Sequence, residues 1–166
     1  MKDFIEIERK FIIEKPSFDL MSACHAESTS IVQIYLKAPE GVTRRIRKRT
    51  YKDGIRYFET VKKRIDKISS YEDECEISES DFLEKSKEIK EGTRPLLKDR
   101  ITFECFGKII EIDVYPEWEK SAIMEIELDT RDEEIKLPDF IKIIKEVTGN
   151  YLYSNAKMAE RFPEEE

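Results

Sequence analysis

Along much of the chain, ionisable and apolar residues take turns. From Phe4 to Ile13, Glu6, Glu8 and Lys10 share one parity while Ile5, Ile7, Phe11 and Ile13 hold the other, a period of two that predicts a strand with one charged face. Lys15-Pro16-Ser17 breaks the pattern, and the spacing of Phe18, Leu20, Met21 and Cys24 predicts a short helix over Phe18 to Ala26. Ile31 to Lys37 reads as a strand that ends at Pro39-Glu40-Gly41. Val42 to Tyr51 and Ile55 to Arg64 flank Lys52-Asp53-Gly54, whose Asp-Gly pair suits a tight hairpin turn.

Glu72 to Ile77 alternates again and predicts another strand. A helix follows, with Ser78 as its cap and Asp81 three residues on. Leu97 to Phe106 and Lys108 to Tyr115 are strands meeting at Gly107, and Ala122 to Thr130 is one more. Pro138 suits the first turn of a helix through Lys145 carrying Phe140, Ile141 and Ile144, with Gly149 placed as its C-terminal cap. A last short helix is expected over Asn155 to Arg161, and residues 163–166 read as a solvated tail. About eight strands joined mostly as antiparallel neighbours, with three or four helices, predict an α+β fold: a closed or nearly closed antiparallel sheet with helices packed on it.

At 166 residues the chain is expected to form a single domain over its whole length. Charged residues make up 40% of it and the net charge is -7, which disfavours duplex nucleic acid as a partner. No stretch approaches the roughly 18 apolar residues of a membrane span, and the N-terminus moves directly into an amphipathic segment, so the chain reads as cytosolic. Cys24, Cys75 and Cys105 are an odd number without C-x-x-C spacing and read as reduced, packed thiols.

How the charge is sorted matters more than its sum. Each strand offers apolar residues on one parity and ionisable groups on the other: Arg45, Arg47 and Arg49; Thr60 and Lys62; Glu72, Glu74 and Glu76; Lys98 and Arg100; Glu111 and Asp113; Glu125 and Glu127. One such strand is an ordinary solvated face. In a curled sheet whose covering elements pack on Ile5, Ile7, Ile101, Phe103, Ile110, Ile112, Ile126 and Leu128, the whole charged set points into the lumen, and about eight strands leave room for one small ligand. A dry lumen of that kind costs several kcal/mol per unpaired ion. Water and mutual ion pairs could compensate it; so could a polyanion held by Arg and Lys, with Mg²⁺ or Mn²⁺ held by carboxylates. Glu-x-Glu on a strand sends two carboxylates to the same side about 6.6 to 7 Å apart at the alpha carbons, within reach of one ion.

Glu6-Ile7-Glu8-Arg9-Lys10 resembles the Glu-x-Glu-x-Lys signature of the CYTH domain, also called the triphosphate tunnel metalloenzyme superfamily. The likeness continues in order through Gln33-x-Tyr35-Leu36, Arg45-x-Arg47, Thr60-x-Lys62, the Glu72 to Glu76 alternation, Lys98-x-Arg100, Glu111-x-Asp113, Glu125-x-Glu127 and Tyr153-Ser154-Asn155 before Met158-Ala159. It implies an eight-stranded antiparallel β-barrel that forms a tunnel, with Glu6, Glu8 and Glu127 as metal ligands. It also implies a phosphate grip of Lys10, Arg45, Arg47, Lys62, Lys98 and Arg100, with Lys10, Glu76, Glu125 and Asp113 in catalytic roles. Lys63-Arg64 and Ser70-Tyr71 depart from the pattern of small bacterial members and bear on substrate preference.

The expected activity is metal-dependent hydrolysis of a linear triphosphate, inorganic triphosphate first, because little beyond the barrel is available to build a nucleoside pocket. The alternatives are a class IV adenylate cyclase, a thiamine triphosphatase, an enzyme of RNA 5′-triphosphate ends, a polyphosphate or nucleotide sensor without turnover, and a structural domain with a salt-bridged lumen. Family members can dimerise, and a homodimer is possible. His25, the only histidine, falls away from the charged set.

Overall fold

The computed structural model describes residues 4–17, 19 and 24–166. Eight strands close a ring: β1 (Phe4–Glu14), β2 (Glu27–Leu36), β3 (Val42–Tyr51), β4 (Gly54–Arg64), β5 (Ser69–Ile77), β6 (Leu96–Cys105), β7 (Lys108–Val114) and β8 (Ser121–Glu127). Their order is β5-β4-β3-β2-β6-β7-β8-β1, and β1 returns to β5. Every pairing is antiparallel. Closure leaves β1 shared: its first residues pair with β5, from Phe4 opposite Glu72 to Ile7 opposite Ser69, and its later ones with β8, from Glu8 opposite Glu127 to Glu14 opposite Ser121.

The turns follow their sequences. Tyr51 and Gly54 pair across a two-residue turn with Gly54 at φ +151°. Phe106 and Gly107 both take positive φ between the paired Cys105 and Lys108, as a primed hairpin turn requires. Helix α1 (Glu79–Lys85) starts at Ser78, whose hydroxyl accepts from the Asp81 amide at 3.0 Å. Helix α2 (Asn155–Glu160) is capped by Ser154. The short helix expected over Phe18 to Ala26 lies for the most part outside the described residues.

The helix expected from Pro138 to Lys145 is not formed. Pro138 to Ile141 make a turn, with the Ile141 amide donating to the Pro138 carbonyl, and a ninth strand, β9 (Ile143–Glu146), pairs with β1 at Phe11 to Ile13. Above Ile7, β1 has no β5 residue beside it, so its backbone needs another partner along that edge. Satisfying those groups outweighs the weak helical spacing of Phe140, Ile141 and Ile144. Gly149 does take a left-handed φ of +71°, but after a turn beyond β9, where a Cβ would meet the Lys67 Cβ at 2.9 Å.

Apolar residues lie mainly outside the ring. Phe11, Ile13, Ile101, Phe103, Ile110, Ile112, Met124 and Ile126 are buried beneath Ile135, Leu137, Phe140 and Ile141 of the segment after β8. On the opposite flank Phe82 of α1 covers Ile34, Leu36 and Ile46. Ile5, expected in this outer layer, is instead 57% exposed, because nothing among the described residues covers that stretch of β1.

A third cluster occupies the interior at one end. Ile12, Leu96, Tyr115 and Ile123 continue the inward parities of β1, β6, β7 and β8, and Trp118, Val147, Tyr153 and Met158 pack on them. Residues 163–166 are tied to this end, not free: Trp118 Nε1 donates to the Pro163 carbonyl, the Lys120 amide to the Glu165 carboxylate and Ser121 Oγ to the Glu166 carbonyl. Among the described residues no helix is long and apolar enough to cross a membrane.

If the apolar layer outside the barrel holds it closed, Ile112→Ala, at a fully buried position, costs about 2 to 5 kcal/mol in urea unfolding. Val61→Ala, on the exposed outer face of β4, costs under about 1 kcal/mol.

Candidate active site

With every second residue of a strand turned inward, the ring encloses a cavity of about 910 Å³. One wall, built by β1, β7 and β8, is acidic: Glu6, Glu8, Glu111, Glu125 and Glu127, with Lys10 among them. The facing wall, from β3 and β6, carries Arg45, Arg47, Arg49 and Arg100. Between them β4 and β5 contribute Lys62, Glu72 and Glu74. The loops of residues 36–43 and 64–67, with residues 149–157, surround the entrance.

Register explains the crowding on the acidic wall. Glu8 stands opposite Glu127, Lys10 opposite Glu125, and Glu111 opposite Glu125. Lys62 Nζ lies 3.7 to 3.9 Å from carboxylate oxygens of Glu6, Glu8 and Glu72, and Lys10 Nζ lies 3.3 Å from Glu125. Burial, reinforced by a hydrogen bond with Glu72 and the Glu8 charge, pushes Glu6 up to about 10. Burial and the Glu125 charge push Glu8 up to about 7. Burial also disfavours the charge on Glu125, yet Lys10 and Arg100 hold it well below the ordinary carboxylate range. Below pH about 7, protons are thus retained among packed carboxyl groups, Glu6 against Glu72 and Glu8 against Glu125.

The basic wall is short of acceptors. Arg47 reaches Glu74 through one nitrogen, and Glu74 also accepts from Thr60 Oγ1 at 2.7 Å; Arg45 reaches Glu72 at 3.4 Å. The remaining nitrogens fare worse. Among the described residues, Nε of Arg45, Nε and Nη1 of Arg47 and Nε of Arg49 are buried and have no hydrogen-bond partner. Burial and the neighbouring Arg45 push Arg47 down to about 10, which still leaves it charged at neutral pH. Several guanidinium groups with unmet donors line one hollow, chemistry that suits an anion with many oxygens.

Of the residues singled out in the sequence, Glu6, Glu8, Lys10, Arg45, Arg47, Lys62, Arg100, Glu125 and Glu127 line one cavity. Three do not. Glu76 is exposed outside it, because β5 runs on past the bore and places Glu76 opposite Phe58 near the β3–β4 hairpin. Lys98 and Asp113 share the inward parity of their strands but lie in the filled interior beside the cavity, joined at 2.8 Å with side chains 0% and 2% exposed. Asp113 there grips Arg100 through Nε at 2.8 Å and Nη2 at 2.9 Å, while Glu111 takes Nη1. Lys98 is therefore placed to neutralise the carboxylate that aims Arg100, with its own ammonium pushed down to about 7 by burial. Lys98 Nζ also reaches Asn155 Oδ1 at 3.4 Å, which accepts from the Tyr115 hydroxyl at 2.6 Å. Arg49 and the entrance residues Lys67, Asn155 and Lys157 were not assigned from sequence. Arg49 simply extends the alternation of Arg45 and Arg47; the entrance residues meet only because distant loops converge.

Among the described residues no three His, Cys, Asp or Glu side chains form a preformed metal cage. The donor chemistry does fit a hard cation: the acidic wall offers only carboxylate oxygens, and its retained protons mark positions where a second positive charge is needed.

Neither a family model nor a curated protein matches the sequence. Solved structures do. The hypothetical protein NE1496 is similar at 26% identity and TM-score 0.59, over 95% of this chain and 99% of that one. A structure described as the inorganic triphosphatase NE1496 is similar at 25% identity and TM-score 0.60, over 96% and 97%. The PH1819 protein from Pyrococcus horikoshii OT3, at 22% identity and TM-score 0.57 over 77% and 80%, shares the fold. An eight-stranded antiparallel ring around an ionisable bore, together with full-length likeness to both NE1496 structures, is consistent with the CYTH, or triphosphate tunnel, superfamily that the sequence motifs resemble.

Proposed function

We propose that the chain is a divalent-metal-dependent phosphohydrolase that cleaves a linear triphosphate within its bore, with inorganic triphosphate as the favoured substrate. The observation that carries this reading is the set of buried, unpartnered guanidinium nitrogens on Arg45, Arg47 and Arg49 facing a wall of carboxylates. The likeness to a structure described as an inorganic triphosphatase supports it.

Arg45 and Arg47 donate to non-bridging phosphate oxygens, while Lys10 on the acidic wall and Lys62 between the two walls add positive charge. Arg100, held by Asp113 and Glu111, keeps a fixed direction at the floor. Phosphoryl transfer needs little covalent help from the protein, so positioning and charge neutralisation supply most of the catalysis. Glu6, Glu8 and Glu127 would hold Mg²⁺ or Mn²⁺, which supplies Lewis-acid charge at the phosphoryl oxygens when bound. Glu125, kept ionised beside Lys10, orients the attacking water.

Turnover is read as phosphate release from inorganic triphosphate with Mg²⁺ or Mn²⁺, beside ATP, thiamine triphosphate and RNA 5′-triphosphate. Release of cyclic AMP from ATP would move the reading to a cyclase. Glu8→Gln is expected to lower kcat by about 10²-fold, through weakened metal binding, while triphosphate still raises the melting temperature. No turnover on any of these substrates, with binding intact, would leave a sensor; no stabilisation by triphosphate at all would leave a salt-bridged lumen.

The carboxyl protons give a second test. Between pH 4.5 and about 7 the folded metal-free chain keeps a proton on Glu8 that the unfolded chain has released, so this contribution to stability is full below 4.5 and fades as pH rises through 7. Glu6, up at about 10, extends the loss to higher pH. Lys98 acts in the opposite sense, but only above about 7. The melting temperature in chelator should therefore fall from pH 5 to 7, and the increment added by Mn²⁺ should grow over the same interval, because the ion displaces those protons. An increment that shrinks with pH would remove the carboxyl groups from metal binding.

A further inference from the structure

Lys62 differs from the other cations of the bore in how it is held. Arg100 is gripped by Asp113 at 2.8 and 2.9 Å, and Lys10 Nζ has the Tyr153 carbonyl and the Glu125 carboxylate, each at 3.3 Å. Lys62 Nζ instead lies 3.9 Å from Glu6 Oε2, 3.8 Å from Glu8 Oε1 and 3.7 Å from Glu72 Oε2, all longer than a hydrogen bond. The ammonium thus stands among three carboxyl groups and is clasped by none of them. Its side chain is 23% exposed, which leaves the four-carbon stem room to turn.

The groups around it belong to two different tasks. Glu6 and Glu8 are two of the three carboxylates suited to Mg²⁺ or Mn²⁺, whereas Glu72 is shared with Arg45 at 3.4 Å, on the phosphate side. A divalent ion seated on Glu6 and Glu8 would place two more positive charges beside the ammonium, and like charges at that range repel strongly where water is scarce. Register shows where the ammonium can go. Lys62 stands opposite Thr43 and Thr60 opposite Arg45, so Lys62 is the diagonal neighbour of Arg45 on the adjoining strand. Diagonal neighbours are within reach of long side chains. A turn of the stem therefore carries the charge from the carboxyl groups of the metal site to the oxygens of an anion held by Arg45, with no movement of the backbone.

We propose that Lys62 is the resident cation of the metal-free bore: its ammonium fills in for the divalent ion among Glu6, Glu8 and Glu72 until that ion displaces it, and only then becomes a phosphate ligand beside Arg45. This rests on the metal-binding half of the triphosphatase reading. Two consequences follow from mass action. The free chain holds a divalent ion weakly, because the ion has first to evict an ammonium. Ion and polyanion bind with positive coupling, because the evicted charge regains a partner when phosphate is present.

The test is calorimetric titration of the whole metal-free chain with Mn²⁺ and, separately, with inorganic triphosphate, at one fixed pH and with no turnover in either cell. Lys62→Gln should tighten Mn²⁺ by about tenfold or more, yet weaken triphosphate without metal by less than about threefold. Lys62→Met, uncharged and close to the lysine stem in shape, should do the same and keeps the test open should Lys62→Gln fail to fold. Lys10→Gln removes an equal charge that is tied to Glu125 and Tyr153, and should tighten Mn²⁺ by less than about threefold. Movement of the side chain is read by reductive methylation with peptide mass spectrometry, in which Mn²⁺ should speed modification of Lys62 by about threefold or more relative to exposed Lys142. Unchanged Mn²⁺ affinity in the Lys62 variants, equal tightening by Lys10→Gln, or labelling of Lys62 indifferent to Mn²⁺ overturns the exchange, and phosphate release by the wild-type chain would then still uphold the hydrolase. A loss of metal-free triphosphate affinity beyond about tenfold in Lys62→Gln also overturns it, by making Lys62 a phosphate ligand from the start. No Mn²⁺ binding by any form overturns both readings.

Discussion

The structure depends on one electrostatic constraint. A closed sheet with its apolar face outward must bring more than a dozen ionisable side chains into a space where an isolated charge costs several kcal/mol. Three devices meet that cost here. Opposite charges are set against each other by strand register, as with Lys10 and Glu125. Some carboxyls hold their protons to higher pH, Glu6 up to about 10 and Glu8 up to about 7. What remains uncompensated, the buried N–H groups of Arg45, Arg47 and Arg49, is concentrated on one wall. Unmet donors of that kind cost stability, and they are the feature on which the proposed triphosphate binding draws.

Rigidity comes from the ends and the back of the bore. The apolar cluster around Tyr115 and Trp118 fills the interior between β1, β6, β7 and β8 beside the entrance, with greasy continuations of the same inward parities that carry charge farther along. Asp113 holds the Arg100 guanidinium by two nitrogens and also accepts from Lys98, and Asn155, accepting from Lys98, joins the group to the first turn of α2. The element that narrows the entrance is thereby connected to a cation at the floor. Preorganisation of this kind lowers what binding must spend on ordering side chains.

Much of this was legible beforehand. A period of two in Glu6, Glu8, Lys10 or Arg45, Arg47 states which residues share a face, and the apolar partners Ile101, Phe103, Ile110 and Ile112 state that the other face is buried. The Gly107 turn and the Ser78 cap were readable for the same reason: the information is local. What misled was equally specific. Phe140, Ile141 and Ile144 have helical spacing, yet the open edge of β1 captures Ile143 to Glu146 as a strand. Lys98 has the parity of Arg100 but stands where the interior is already filling with Leu96 and Tyr115, so it is buried inside the barrel without lining the open bore. Glu76 has the parity of Glu72 and Glu74 but lies beyond the end of the cavity.

Sequence alone therefore determined the partition of side chains between two faces, because alternation along an extended backbone needs no knowledge of neighbouring strands. It also supplied the chemistry of the inward face, guanidinium and ammonium groups with carboxylates. Tertiary structure decided depth: how far along the axis each inward residue falls, which charges meet, and which donors are left over. That depends on register between strands distant in the chain and on the stagger with which β1 divides itself between β5 and β8. Parity is a property of one strand, while position along a closed barrel is a property of all eight at once.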